Sequence, residues 1–292
     1  MRLSAFKVIL LFFYALGLAA IAWAAWYGWD YYNLPLIERP HSEFHKALKP
    51  GGLIGHGFGI VGSAMILMLF LYSMRKRGWF WLRFGKMNRW LDIHIWFGIM
   101  GPLLITLHTA GKFHGIVSIS YFSMVAVMLS GFFGRYIYMQ IPRDESGHAL
   151  SLADLDDKIE HMSTELSSEL GIPKEELSEI SKRAGRGIPE NRRGLGVLIV
   201  LFWLDLTRSI RHRRLRRELK RRFPKMHPTN ATTLFILARR RTLLMRKRAM
   251  LRSTNELFHY WHVVHKPFAI VMVLIMVVHV TVVVLMGYRW VF

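Results

Sequence analysis

The sequence contains no cysteine. That excludes disulfides, thiolate-ligated zinc, iron–sulfur clusters held by this chain, and haem attached through a CxxCH motif. Acid is scarce as well: nineteen Asp and Glu stand against forty Lys and Arg, a formal charge of +21. No internal repeat, low-complexity tract, phosphate-cradling loop, zinc-protease motif or nucleophile–base arrangement is present. A basic soluble chain would suggest nucleic acid, but no recognition motif accompanies the charge, so no nucleic-acid partner is expected.

What is present is apolar. The chain of 292 residues is 52% hydrophobic with mean hydropathy +0.24, which favours a polytopic membrane protein. A transmembrane helix needs about 20 apolar residues. Five such runs occur, at about 8–29, 53–74, 91–111, 116–139 and 262–287. The first follows a short basic start, Arg2 and Lys7, and has small-residue patterns such as Ala20-Ile21-Ala22, which a cleavable signal peptide would also show. It continues through Trp23, Trp26 and Trp29, an interfacial aromatic belt that suits a retained anchor.

Orientation follows from the loops. The stretch 75–90, "RKRGWFWLRFGKMNRW", has six basic residues and no acid, which predicts a cytoplasmic side. The N-terminus and residues 140–261 then lie inside, and 30–52 and the "GKFHG" turn outside. Within the insertion, Ser151 and Asp154 fit a capping box, and Pro173 fits the first turn of a second helix. Residues 208–252 have seventeen Lys or Arg and one acid, Glu218, and suit anionic lipid or an acidic partner. The apolar segment 196–206 would rise only roughly 16 Å as a helix, short for a core of about 30 Å, and reads better as an interfacial or partly buried element than as a crossing, which would reverse the last span. The expected class is all-α: about five transmembrane helices, four of them in 1–139 and the fifth in 262–292, with a cytoplasmic helical insertion at 140–261. Such a protein would be integral to a membrane, as in the bacterial inner membrane.

The third run opens and closes with histidine, "HIWFGIMGPLLITLH". Fourteen helical residues rise about 21 Å and rotate about 1400°, roughly 40° short of four turns. His94 and His108 therefore share a face, one near each end of the hydrocarbon core. Gly98 and Gly101 lie between them and leave room beside the backbone for something flat and large. In the fifth run His265 and His279 are again fourteen apart, with Ala269 and Met272 on the same face. With both helices running outward, His94 aligns with His265 inside and His108 with His279 outside. An imidazole in hydrocarbon is expensive and usually functional. Two levels of paired histidines would hold two bis-histidine b haems, one above the other across the bilayer, each iron taking two imidazoles as metal ligands.

This pattern, carried by the histidines, the glycines and the helix count over 53–139 and 262–287, resembles the diheme b-type membrane cytochromes. These include the cytochrome b of quinol-oxidising complexes and the membrane domain of ferric reductases and NADPH oxidases. The resemblance implies a subunit that moves electrons across the bilayer within a larger oxidoreductase complex. It departs in two ways: no GxGxxG strand–helix unit for flavin or nicotinamide and no PEWY-like quinol signature is found. Electrons would then come from a quinone pool or from a redox partner subunit.

Further residues bear on the same chemistry. His56, in the small-faced "GGLIGHGFGIVGS", is an alternative outer ligand or a hydrogen-bond partner for a quinone. His262, one turn before His265, is the rival inner ligand. Arg135 and Lys112 are candidate partners of haem propionates, a role that snorkelling at the interface competes with. His41, His45 and His114, with Glu43, form an outer-loop metal alternative. Two other functions compete: a histidine-based ion or proton transporter, which predicts acids near the midplane where only the peripheral Asp92 is found, and a membrane scaffold docking partners through the insertion.

Overall fold

The computed structural model describes residues 4–79, 84–143, 149–173, 175–176, 179 and 195–287. Helix accounts for 83% of it, and no strand occurs among the described residues, so the chain is all-α. The helices are α1 (Ala5–Tyr27), α2 (Trp29–Asn33), α3 (His45–Leu48), α4 (Leu53–Lys76), α5 (Met87–Thr109), α6 (Ile116–Gln140), α7 (Leu152–Leu170), α8 (Leu195–Leu206), α9 (Arg208–Arg222) and α10 (Pro228–Leu285). A short 3-10 turn, Arg39–His41, lies between α2 and α3. Five helical stretches are long and apolar enough to cross a membrane: α1, His45–Lys76 through α4, α5, α6 and α10. Each of the five hydrophobic runs falls on one of them, and the chain is transmembrane in character.

The fifth run is not a separate element. It is the distal part of a 58-residue helix that also carries much of the basic stretch. Those 58 residues are far more than the roughly 20 that cross a bilayer core. Composition changes near residue 262, but nothing there breaks the backbone. Pro267 sits inside the helix just beyond, where it removes one backbone hydrogen bond and crowds the carbonyl four residues earlier. The 12-residue α8 is not among the five spans. The second insertion helix expected from Pro173 falls largely outside the described residues.

Two compact units divide the chain: Met1–Phe132 with Val263–Phe292, and Phe133–His262. In the first, α4 and α5 pack most closely, and small residues explain why. A Cβ added at Gly62 would lie 2.7 Å from Ile105 Cγ1 and 3.1 Å from Gly101 O. One added at Gly101 would lie 3.3 Å from Gly62 O and from Ile66 Cδ1. Without hydrophobic expulsion to drive association in lipid, such backbone proximity supplies the van der Waals contact. Ile66 and Met124 bury against Met272 and Met276 of α10, and Ser120 Oγ donates to Met272 O at 2.8 Å. The outward faces stay apolar: Trp26 is 74% and Leu274 62% exposed, a surface suited to lipid. Replacing Gly62 by leucine should drive α4 and α5 apart at a cost of about 3 kcal/mol, the upper end for overpacking. Thermal unfolding in detergent reads that loss, and an unchanged midpoint would show that the contact is not required.

The connection from α2 to α4 is organised by Arg39, which is buried. Its guanidinium donates to Ala110 O at the end of α5, to Tyr32 O at 2.7 Å and, through Nε, to Leu34 O at 3.0 Å. It also lies 5.4 Å from the centre of the Tyr31 ring. Three carbonyls and an aromatic face replace water around a buried cation. Ala110 adopts a left-handed conformation (φ +46°), and Gly111 follows at φ +72°, which turns the chain sharply after α5.

In the second unit, α7 begins with the capping box expected at Ser151: Asp154 N donates to Ser151 Oγ at 3.1 Å and Ser151 N donates to Asp154 Oδ2 at 2.8 Å. Hydrogen bonding by Ser151 holds the Asp154 carboxyl below its usual value. Leu201 and Leu204 of α8 bury against Ile137, Met250 and Leu257. The other side of α8 stays exposed, with Ile199 at 72%. Leu215 and Leu219 of α9 pack against Leu234 and Leu237 of α10.

Candidate functional site

The first unit holds five of the intramembrane histidines. His94 and His108 lie on α5 and both turn toward α4. His94 Nδ1 is 3.2 Å from Leu69 O, and its ring centre is 5.1 Å from that of Tyr72. His108 Nδ1 is 2.8 Å from Gly55 O. A carbonyl only accepts, so in each neutral imidazole Nδ1 carries the proton and Nε2 carries the lone pair. An anchored Nδ1–H and a basic Nε2 are how a metal-binding histidine is normally prepared. His108 also lies in a glycine cradle: a Cβ at Gly59 would come within 2.7 Å of Nδ1 and 2.8 Å of Cε1.

Three histidines gather at one end of this unit. The His56 and His108 rings are 6.5 Å apart, centre to centre, at 55°. His279 of α10 is near enough to interact electrostatically with both. They belong to the start of α4, the end of α5 and the distal turns of α10, so three helices bring them to one level. At the other level, His265 Nδ1 meets Ser130 Oγ at 2.7 Å. Ser130 donates to Val127 O at 2.9 Å, which leaves its oxygen to accept from His265. His94 and His265 are thus anchored on different helices, α4 and α6.

Gly98 and Gly101 face α4: Leu69 Cδ2 lies 3.8 Å from a Cβ built at Gly98, and Gly62 O lies 3.3 Å from one at Gly101. At Gly101 the neighbour is the α4 backbone, whereas at Gly98 it is the tip of the Leu69 side chain at ordinary contact distance. His262 belongs to the second unit, where its Nδ1 is 2.8 Å from Phe258 O and its ring is edge-on to Phe258. Arg135 is also in that unit, with its guanidinium 5.8 Å from the centre of the Tyr138 ring. Lys112 is exposed in the turn after α5. In the connection between α2 and α4, His45 Nδ1 lies 3.2 Å from Tyr31 OH. No group of three or more His, Asp or Glu among the described residues is arranged to hold a metal ion directly. A two-imidazole set, such as the axial pair on a haem iron, is a smaller arrangement than those groups.

A second polar cluster, in the second unit, went unread in the sequence. Asp205 accepts from Tyr136 OH, Gln140 Nε2 and Arg246 Nη2, each at 2.9 Å, and Arg246 also donates to Gln140 Oε1 at 2.9 Å. Burial pushes the Asp205 carboxyl up, but Arg246 and the two neutral donors outweigh it and hold the group below its usual value. One signal was available: Asp205 is the single charge in an apolar run. Nothing in the sequence marked Ser130 or the carbonyls that orient His94 and His108.

Compared with known families, curated proteins and solved structures, the chain matches none. The class defined so far is a five-span, all-α membrane protein with half-buried histidines among its helices.

Proposed function

We propose that this chain is the membrane-embedded electron-transfer subunit of an oxidoreductase complex, holding two b-type haems through histidine pairs. The observation that carries the reading is the state of His94 and His108: two half-buried imidazoles on one helix face, about 21 Å apart along the axis, each with Nδ1 committed to a carbonyl. Structural histidines in hydrocarbon would do best with both nitrogens bonded, whereas a ligand needs one kept basic.

On this reading His94 and His265 serve the inner level, and His108 serves the outer one with His279. His56, beside His108, is the alternative outer ligand or a quinone contact. Bound haem supplies a reversible one-electron ferric–ferrous couple. The chain supplies the imidazoles, orients them through Leu69 O, Gly55 O and Ser130, and excludes water with apolar helices. Lys112 places positive charge beside the outer level, where a propionate would lie. The basic loop and insertion face the cytoplasm of a bacterial cell, electrons enter from a quinone pool or a redox partner, and an acceptor takes them on the other side.

Purified protein should show the sharp reduced α-band of six-coordinate, low-spin haem, and pyridine haemochrome should count two haems per chain. A folded but colourless preparation, from cells able to supply haem, overturns the proposal.

A further inference from the structure

The cluster around Asp205 opens into a cavity of about 340 Å³, roughly the space of ten water molecules. Five cationic side chains, Arg208, Arg211, Arg239, Arg246 and Lys247, line it against the single carboxylate of Asp205. That carboxylate is engaged by Arg246, Tyr136 and Gln140, and Arg211 is turned to the carbonyl of Leu204. None of Arg208, Arg239 and Lys247 is in an ion pair among the described residues. Several like charges around one cavity repel each other unless an anion joins them.

We infer that this basin binds a phosphate group, either the phosphodiester of an anionic phospholipid or free phosphate. A guanidinium fork matches phosphate oxygens two at a time, and an anion among Arg208, Arg239 and Lys247 offsets part of their mutual repulsion. Location bears on the source. Tyr136 and Gln140 form the end of a helix long and apolar enough to span a membrane, and the end of such a span is where headgroups would meet it. Its rim includes Met139, 53% exposed, and Leu243, 42% exposed, which offer apolar surface beside the charged interior. A headgroup with an acyl chain alongside satisfies both kinds of surface. The site requires no haem, so it stands or falls independently of the electron-transfer reading.

Native mass spectrometry of the full chain, released from nanodiscs of phosphatidylglycerol or of phosphatidylcholine, tests it. The unmodified protein should retain phosphatidylglycerol selectively. R239Q with K247Q should weaken that retention roughly thirtyfold, taking each basic group near an anionic surface as roughly fivefold. R239Q alone, at an exposed position, should weaken it roughly fivefold and serves if the double variant does not fold. R213Q with R214Q removes equal charge from exposed positions outside the basin and should leave retention unchanged. In detergent, a thermal shift with inorganic phosphate that R239Q reduces, without lipid selectivity, would support the site with a soluble source. Equal losses in both double variants, or a protein indifferent to both phosphatidylglycerol and phosphate, would overturn the inference.

Discussion

On the proposed function, substituting alanine for His108 should leave one low-spin haem per chain in place of two, with the helical bundle intact. His108 is the imidazole most completely prepared for ligation: Nδ1 is held by Gly55 O, the ring lies over Gly59, and His56 and His279 are beside it. Losing it leaves an outer iron with one axial imidazole at most, and a low-spin b haem needs two. Gly59→Ala should mimic part of the effect, because its Cβ would come 2.7 Å from the ring and force it aside. Comparing His56→Ala with His279→Ala identifies the outer partner, since only the true ligand's loss should convert that haem to high spin. If His108→Ala protein binds two low-spin haems, His108 is not a ligand and the proposed pairing fails.

Asp205→Ala should be the most destabilising single change in the second unit, at about 3 kcal/mol. It leaves the Arg246 guanidinium, whose side chain is 9% exposed, with Gln140 Oε1 as its remaining acceptor from the cluster, and strips an acceptor from Tyr136 and Gln140. Arg246→Met should cost less, about 2 kcal/mol, because the Asp205 side chain is 36% exposed and water can replace part of what it loses. The pH dependence has a definite sign. A carboxyl whose folded-state value is depressed contributes stability that is fully present above its unfolded value of about 3.9. That contribution disappears as pH falls through the folded value, so the wild type should weaken in acid while Asp205→Ala loses less. Denaturation midpoints of the full chain across this range provide the measurement, and identical acid limbs for the two proteins would exclude the ion pair as a contributor.

Much of the architecture was legible in the residues alone. Hydrophobic runs of bilayer length are a local property, and in lipid every backbone group must be satisfied internally, so five runs imply helices without knowledge of their neighbours. The capping box at Ser151 is local for the same reason. The shared face of His94 and His108 is also local, because helical geometry relates positions fourteen apart wherever the helix lies.

Only tertiary structure decided what those faces meet. The residues alone place Gly98 and Gly101 on the histidine face, whereas what Gly101 meets there is the α4 backbone, because Gly62 offers a matching gap on a helix more than thirty positions away. The same approach brings Leu69 O and Gly55 O to the two imidazoles, and a backbone carbonyl has no signature in a side-chain pattern. The continuity of α10 through residue 262 was hidden because a change from basic to apolar composition looks like an end, although charge by itself does not interrupt hydrogen bonding along a helix. Asp205 meets Tyr136 and Arg246 across separations of 69 and 41 residues. Such a pairing is set by which helices pack together, and a one-dimensional pattern of charges does not contain that choice.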